Sequence, residues 1–322
     1  MRMFLFLSLA SLFLSAPSLE AQCGSKKTAH QAYKQHTERQ TVAYHDNHRT
    51  HRPDLVETAL ANGNFKTLTT ALGSAGLVSA LQAKGPFTVF APSDAAFDKL
   101  PAGTVQSLLR PENREALTAI LTYHVVKGAY NAERVTRQSG AATLNGQRLP
   151  FDTASGVRVG RASVVQADIH TANGIIHVID EVLLPSDQNL VQVAAGTGDF
   201  ETLIAAAKAA QLDGLLANQG PFTVFAPTDD AFAKLPKGTV QNLLKPENRN
   251  QLAEILKYHV VKGRVFADEA VGVGSAHAVN GDDLQFRLRE GRLNVNQAKI
   301  VASDVQAQNG VIHIIDRVLL PN

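Results

Sequence analysis

The chain reads as an α+β protein made of two tandem copies of one domain, each a β-sandwich-like core with helices grouped to one side. Three observations predict this. Long blocks recur: Gly85-Pro86-Phe87-Thr88-Val89-Phe90-Ala91-Pro92 returns as Gly220-Pro221-Phe222-Thr223-Val224-Phe225-Ala226-Pro227, an offset of 135, and 33 of 44 positions are identical between 85–128 and 220–263. Such a period is a whole domain, not a solenoid unit. Within each copy the apolar spacing is helical first and alternating later. The 322 residues, 44% of them hydrophobic, can bury two cores.

The first copy sets the pattern. Asp54 to Ala83 carries helical spacing at Leu68, Leu72, Leu77, Val78 and Leu81, broken by Gly63, Gly73 and Gly76, which predicts several short helices. Phe87 to Phe90 is a short buried strand bounded by Pro86 and Pro92. Ser93 or Asp94 caps the next helix, and Asp229 holds the same place in the second copy; capping explains these carboxylates better than catalysis. Pro111 suits a helix first turn, with Glu112 and Glu115 near its positive end. Leu117, Ile120, Leu121 and His124 then form one buried stripe, repeated as Leu252, Ile255, Leu256 and His259. Asn145-Gly146 predicts a tight hairpin turn, Val157, Val159 and Val164-Val165 continue as strands, and Asn173-Gly174 turns into a long apolar strand from Ile175 to Leu184.

Before the repeat, Met1-Arg2-Met3, the apolar run Phe4 to Leu14 and the small residue Ala21 form the pattern of a secretory signal peptide over 1–21. The run is shorter than the ~20 residues a membrane span needs. Residues 22–51 form a basic, His-rich arm without hydrophobic period; domains at 52–185 and 186–321 follow. His45, His48 and His51 recur every three residues. They are weak metal candidates against the alternative of a solvated linker. Cys23, the one cysteine, allows no internal disulfide. It leaves open an intermolecular dimer or, since Gln22 fits the signal poorly, a less favoured lipid anchor. Net charge of +2 argues against nucleic-acid binding, and one cysteine excludes zinc fingers and iron–sulfur sites. The lack of Trp weighs slightly against sugar stacking.

Phe87-Thr88-Val89-Phe90-Ala91-Pro92-Ser93-Asp94, Tyr123-His124 and Asn173-Gly174-Ile175-Ile176-His177-Val178-Ile179-Asp180, with their second copies, resemble the ordered motifs of the fasciclin domain over roughly residues 52–320. The resemblance implies a wedge-like sandwich of about seven strands per domain, and a secreted or surface-attached, non-enzymatic role in adhesion and matrix contact. It also implies partner contact at Tyr123, His124, Asp168 and Ile169, and at Tyr258, His259, Asp304 and Val305; Val305 departs from the pattern. The partner class is a cell-surface or matrix protein or a polysaccharide. No Arg-Gly-Asp, no Asn-x-Ser/Thr acceptor and no C-terminal hydrophobic tail occurs, which points to a secreted bacterial form, extracellular or periplasmic. A carrier of a small apolar ligand, lipid or pigment, between helices and sheet is the alternative.

The residues themselves offer no enzyme motif. Gly272-Val273-Gly274 lacks the glycine that would complete a dinucleotide fingerprint, and no cofactor is expected. His124, His259, His177 and His313 sit in apolar patterns, where a neutral ring with a satisfied hydrogen bond is the simpler reading.

Overall fold

A computed structural model describes residues 52–154 and 156–321. The leader, Cys23 and the arm with His45, His48 and His51 lie outside the described residues.

The helical half of the first domain is assembled by caps. α1 (Leu55–Ala61) starts in a reciprocal box between Asp54 and Glu57. α2 (Lys66–Ala75) starts at Phe65, which has no capping side chain, and stops at Gly76 in a left-handed conformation (φ +73°). Asp94 supplies the missing cap from elsewhere: its carboxylate accepts the Thr67 N–H at 2.8 Å and the Lys66 N–H at 3.3 Å. Asp94 therefore caps α2, while Ser93 caps its own helix. α3 (Val78–Leu81) leads to β1 (Phe87–Pro92), then α4 (Asp94–Asp98) and α5 (Thr104–Leu108). Pro111 opens a 3-10 turn, Pro111–Asn113, and not α6 (Arg114–Tyr123) itself.

The strand half comprises β2 (Val125–Lys127), α7 (Ala132–Arg137), β3 (Gly140–Ala142), β4 (Arg148–Asp152), β5 (Arg158–Val159), β6 (Ala162–His170) and β7 (Gly174–Ile179). These join in one seven-stranded sheet, β2-β1-β7-β6-β5-β4-β3. Only β1 and β7 pair in parallel, Phe87 to Gly174 through Pro92 to Ile179. The sheet curls until its ends meet: Val126 bridges Thr143, and the Leu144 N–H donates to the Val125 carbonyl at 2.8 Å. That curl is the wedge.

Two cores result, one on each face of the central strands. Val89, Ala91, Ile176 and Val178 pack against Leu68, Leu72, Leu117 and Leu121 of the helices. Phe90 and Ile179 point the other way, into a cluster with Leu149, Val159 and Ala162 inside the curl. β7 ends five residues before the apolar run does, because the Ile179 carbonyl is taken by the Ser93 N–H and Asp180 turns to accept the Ser163 N–H.

The second domain repeats this order: α8 (Leu190–Thr197), α9 (Glu201–Ala209), α10 (Asp213–Asn218), β8 (Phe222–Pro227), α11 (Asp229–Ala233), α12 (Thr239–Leu243), α13 (Arg249–Tyr258), β9 (Val260–Lys262), α14 (Ala267–Val273), β10 (Ser275–His277), β11 (Asp283–Arg289), β12 (Arg292–Val295), β13 (Ala298–Ala307) and β14 (Gly310–Ile315). Its sheet has the matching order β10-β11-β12-β13-β14-β8-β9.

Close approach of β1 to β7 forbids a side chain at the first rung. A Cβ on Gly174 would lie 2.1 Å from the Phe87 carbonyl oxygen, and one on Gly310 2.2 Å from that of Phe222. Gly174→Ala should destabilise the first domain by about 3 kcal/mol or more, because backbone must move. Gly310→Ala should do the same to the second. Calorimetry with domain-resolved hydrogen exchange checks both.

Candidate functional site

The motif residues converge on two places in each domain. The first is the end of α6. The Tyr123 hydroxyl donates to the Arg148 carbonyl at 3.3 Å, and burial pushes its pKa up to about 12. His124 is 1% exposed. Its Nδ1 lies 2.7 Å from the Ile120 carbonyl, and its Nε2 accepts the Leu183 N–H at 3.0 Å. An acceptor at one nitrogen and a donor at the other fix the neutral Nδ1–H tautomer. The ring caps a helix carbonyl and ties down the strand exit. His259 does the same with Ile255 and Leu319. Burial, opposed by the carbonyl bond, lowers both imidazoles to about 4.

The second place is a bulge. The β6–β7 register slips between Gln166 and Ile169, and Asp168 there has φ +57°. Asp168 uses both ends of this strained position. Its carboxylate accepts the Ala132 N–H at 2.8 Å, starting α7, and its own N–H donates to His177 Nδ1 at 3.3 Å. His177 Nε2 in turn donates to the Tyr130 carbonyl at 2.7 Å, and the ring stacks on Phe90 at 5.3 Å. Burial lowers its pKa. Asp304, His313, Val265 and Phe225 repeat the set. Ile169 and Val305 are half-buried against the helical cores. Asp94 and Asp229 are lowered too: burial acts to raise them, but the backbone and side-chain donors of α2 and α9 outweigh it.

The α7 helix was missed in the sequence, although Asn131 before Ala132-Glu133 carries a cap signal. The larger surprise is at the joint between domains. Arg148 of β4, with only 12% of its side chain exposed, forks onto Asp268 at the start of α14. Gln306, two residues past Asp304, accepts the Arg148 N–H at 2.6 Å and donates to its carbonyl at 2.7 Å. The Tyr segment of the first domain and the Asp segment of the second thus meet on one peptide unit. The Arg148 guanidinium, with Ser139, holds the Asp268 carboxyl down at about 2. Among the described residues no group of three metal-ligating side chains occurs, and no helix is long and apolar enough to cross a membrane.

Residues 63–185 and 198–321 match the family model of the Fasciclin domain. The chain belongs to the fasciclin family. Protein sll1483 of Synechocystis is 45% identical over 171 residues, covering 53% of this chain and 94% of that protein. Transforming growth factor-beta-induced protein ig-h3 of Sus scrofa is 34% identical over 247 residues, covering 75% of this chain. The fasciclin chain spans 36% of that animal relative's length. Among solved structures, a FAS1 domain pair from the insect cell adhesion molecule Fasciclin I has a TM-score of 0.41 at 21% identity, over 80% of this chain and 96% of that one.

The lowered histidines, His124, His177, His259 and His313, make stability depend on pH. The folded pKa of His124 and His259, about 4, lies below the unfolded value of about 6.5, so the stabilisation is full above pH 6.5 and is lost as pH falls toward 4. Each imidazole should contribute a slope of about 1.4 kcal/mol per pH unit in that window. Urea melts at pH 7 and pH 5 test this; His124→Gln should reduce the dependence of the first domain alone, with His177 supplying the remainder.

Proposed function

We propose that the chain is a secreted, non-enzymatic adhesion or matrix-interaction protein that works as a paired fasciclin body. One observation carries the reading: the histidines and carboxylates of the recurring motifs are spent on caps, bulges and strand exits. No nucleophile and base are offered together to a substrate there. Family membership supports the same class, since fasciclin resemblance implies adhesion. In this reading Tyr123, His124, Asp168 and Ile169, with Tyr258, His259, Asp304 and Val305, act on partners by shaping the surface around them. The partner is a cell-surface or matrix protein or a polysaccharide. The leader pattern supports export, with a mature chain beginning near Gln22.

Pull-down of the mature chain against the producing organism's envelope and extracellular fraction tests this. Specific retention of one component is expected, with loss of retention in His124→Ala tracking loss of folding. Retention abolished while the melting curve stays parental would make the histidine itself the contact.

A second reading, carriage of a small apolar ligand, has one observation in its favour. The second domain contains an apolar cavity of about 80 Å³ lined by residues such as Leu203, Leu216, Val224 and Ile312. The repeat supplies its cause. Leu72 fills this place in the first domain, whose helical core is continuous; the corresponding Ala207 leaves it short, and the core there divides in two. At ~24 cal/mol per Å³, filling it is worth at most about 2 kcal/mol. Ala207→Leu should therefore raise the melting temperature of the second domain, and native mass spectrometry should show loss of any co-purified apolar molecule.

A further inference from the structure

The joint between the domains is heterologous. It seats the β3–β4 hairpin of one domain on the α14 and β13 face of the other, and not two like faces on each other. Each domain carries both faces. Among the described residues the pair therefore leaves one of each unused: the β10–β11 hairpin of the second domain, and the α7 and β6 face of the first.

The repeat lets the used and unused faces be compared position by position. In the joint the hairpin supplies a cation, Arg148, whose guanidinium lies on the Asp268 carboxylate and 4.9 Å over the Phe266 ring. The helix opposite supplies anions, Asp268 and Glu269. On the unused faces the hairpin's sign is reversed, while the helix gains two cations and keeps a carboxylate at the position of Asp268. The position of Arg148 holds Asp283, next to Asp282. Asp268, Glu269 and Gly272 of α14 correspond to Glu133, Arg134 and Arg137 of α7.

The groups on both unused faces are accessible and oriented. The Asp283 side chain is 55% exposed and pairs with the exposed His277. Glu133 is neutralised within its own helix by Arg137, at 2.5 Å, while the Arg137 side chain is 76% exposed. Arg134 is laid over the Tyr130 ring at 3.8 Å and bonded to the Ala129 carbonyl. With Asn131, Glu133 and Gln138 the two arginines border an open depression. Asp282 and Asp283 of the hairpin are thus complementary to Arg134 and Arg137, with Glu133 held back by its own pair to Arg137.

We propose that a second copy of this chain docks end to end, the β10–β11 hairpin of one copy placing Asp282 and Asp283 against Arg134 and Arg137 on α7 of the next. Each copy offers one hairpin and one α7 face, so the contact is heterologous and continues from copy to copy, into an open chain or, where its rotation closes, a ring. The proposal does not rest on the adhesion reading, since it needs no other partner. The opposed charges lie at the surface, so salt weakens the contact.

Sedimentation velocity on the full mature chain, in reductant so that Cys23 forms no disulfide, tests it. At ~20 mM salt the weight-average mass should climb with concentration past that of a dimer, and at ~500 mM it should fall toward the monomer, where screening is nearly complete. Asp282→Arg with Asp283→Arg should abolish association, as should Arg134→Asp with Arg137→Asp. Mixing these two variants should restore it, because each then meets its opposite. Melting curves verify folding; if a reversal unfolds the chain, Asp283→Asn and Arg137→Gln should still weaken association. A protein that stays monomeric at low salt, variants that associate like the parent, or a mixture that stays monomeric would each overturn the proposal.

Discussion

The parallel pairing of β1 with β7 is the constraint on which each fasciclin domain depends. The two strands are more than eighty residues apart in the chain, yet they run together for six rungs. Parallel strands need a long crossover, and here the crossover supplies most of the helices and the rest of the sheet. Both faces of the pair are buried. Val89 and Ile176 face the helical core, and Phe90 and Ile179 face the core inside the curl. A slip of one residue would exchange these sets. Gly174 and Gly310 set the register by letting backbone approach backbone where no side chain fits.

Polar groups then fix what hydrophobic burial leaves loose. His124 and His177 are buried in the middle of apolar surroundings, and each bonds backbone groups from separate segments. A buried unpaired ring would cost stability, so each histidine selects one arrangement of those segments over alternatives. Asp168 joins the bulge to the start of α7 in the same way. These bonds explain why residues that look chemically active in the motif are held neutral or capped. The same framework carries the joint, because Tyr123 and Gln306 address the same Arg148 carbonyl from two domains.

Duplication followed by divergence at a few positions gives the two domains different surfaces and different interiors on one scaffold. Ala207 in place of Leu72 opens a cavity; Asp283 in place of Arg148 reverses an edge. Neither change disturbs the caps or the central register.

Much of the architecture was legible in the sequence. The offset of 135 gave two domains, the stripe from Leu117 to His124 gave a buried helix, and Asn145-Gly146 and Asn173-Gly174 gave two hairpins. These signals are local or self-repeating, so periodicity and turn chemistry suffice to read them. The burial of the motif histidines was legible too, because apolar neighbours surround them on both sides. Long-range partners were not. Nothing near Phe65 announces that Asp94 caps α2, and the bulge at Asp168 exists only because β6 must stay in register with β7 while His177 reaches its N–H. β7 stopped at Ile179 because the Ile179 carbonyl was already engaged by the Ser93 N–H. The Arg148–Asp268 joint, and the altered charges on the faces left open, needed the two domains placed against each other. A contact between residues 120 apart has no period to read, and only tertiary packing decides which charges meet.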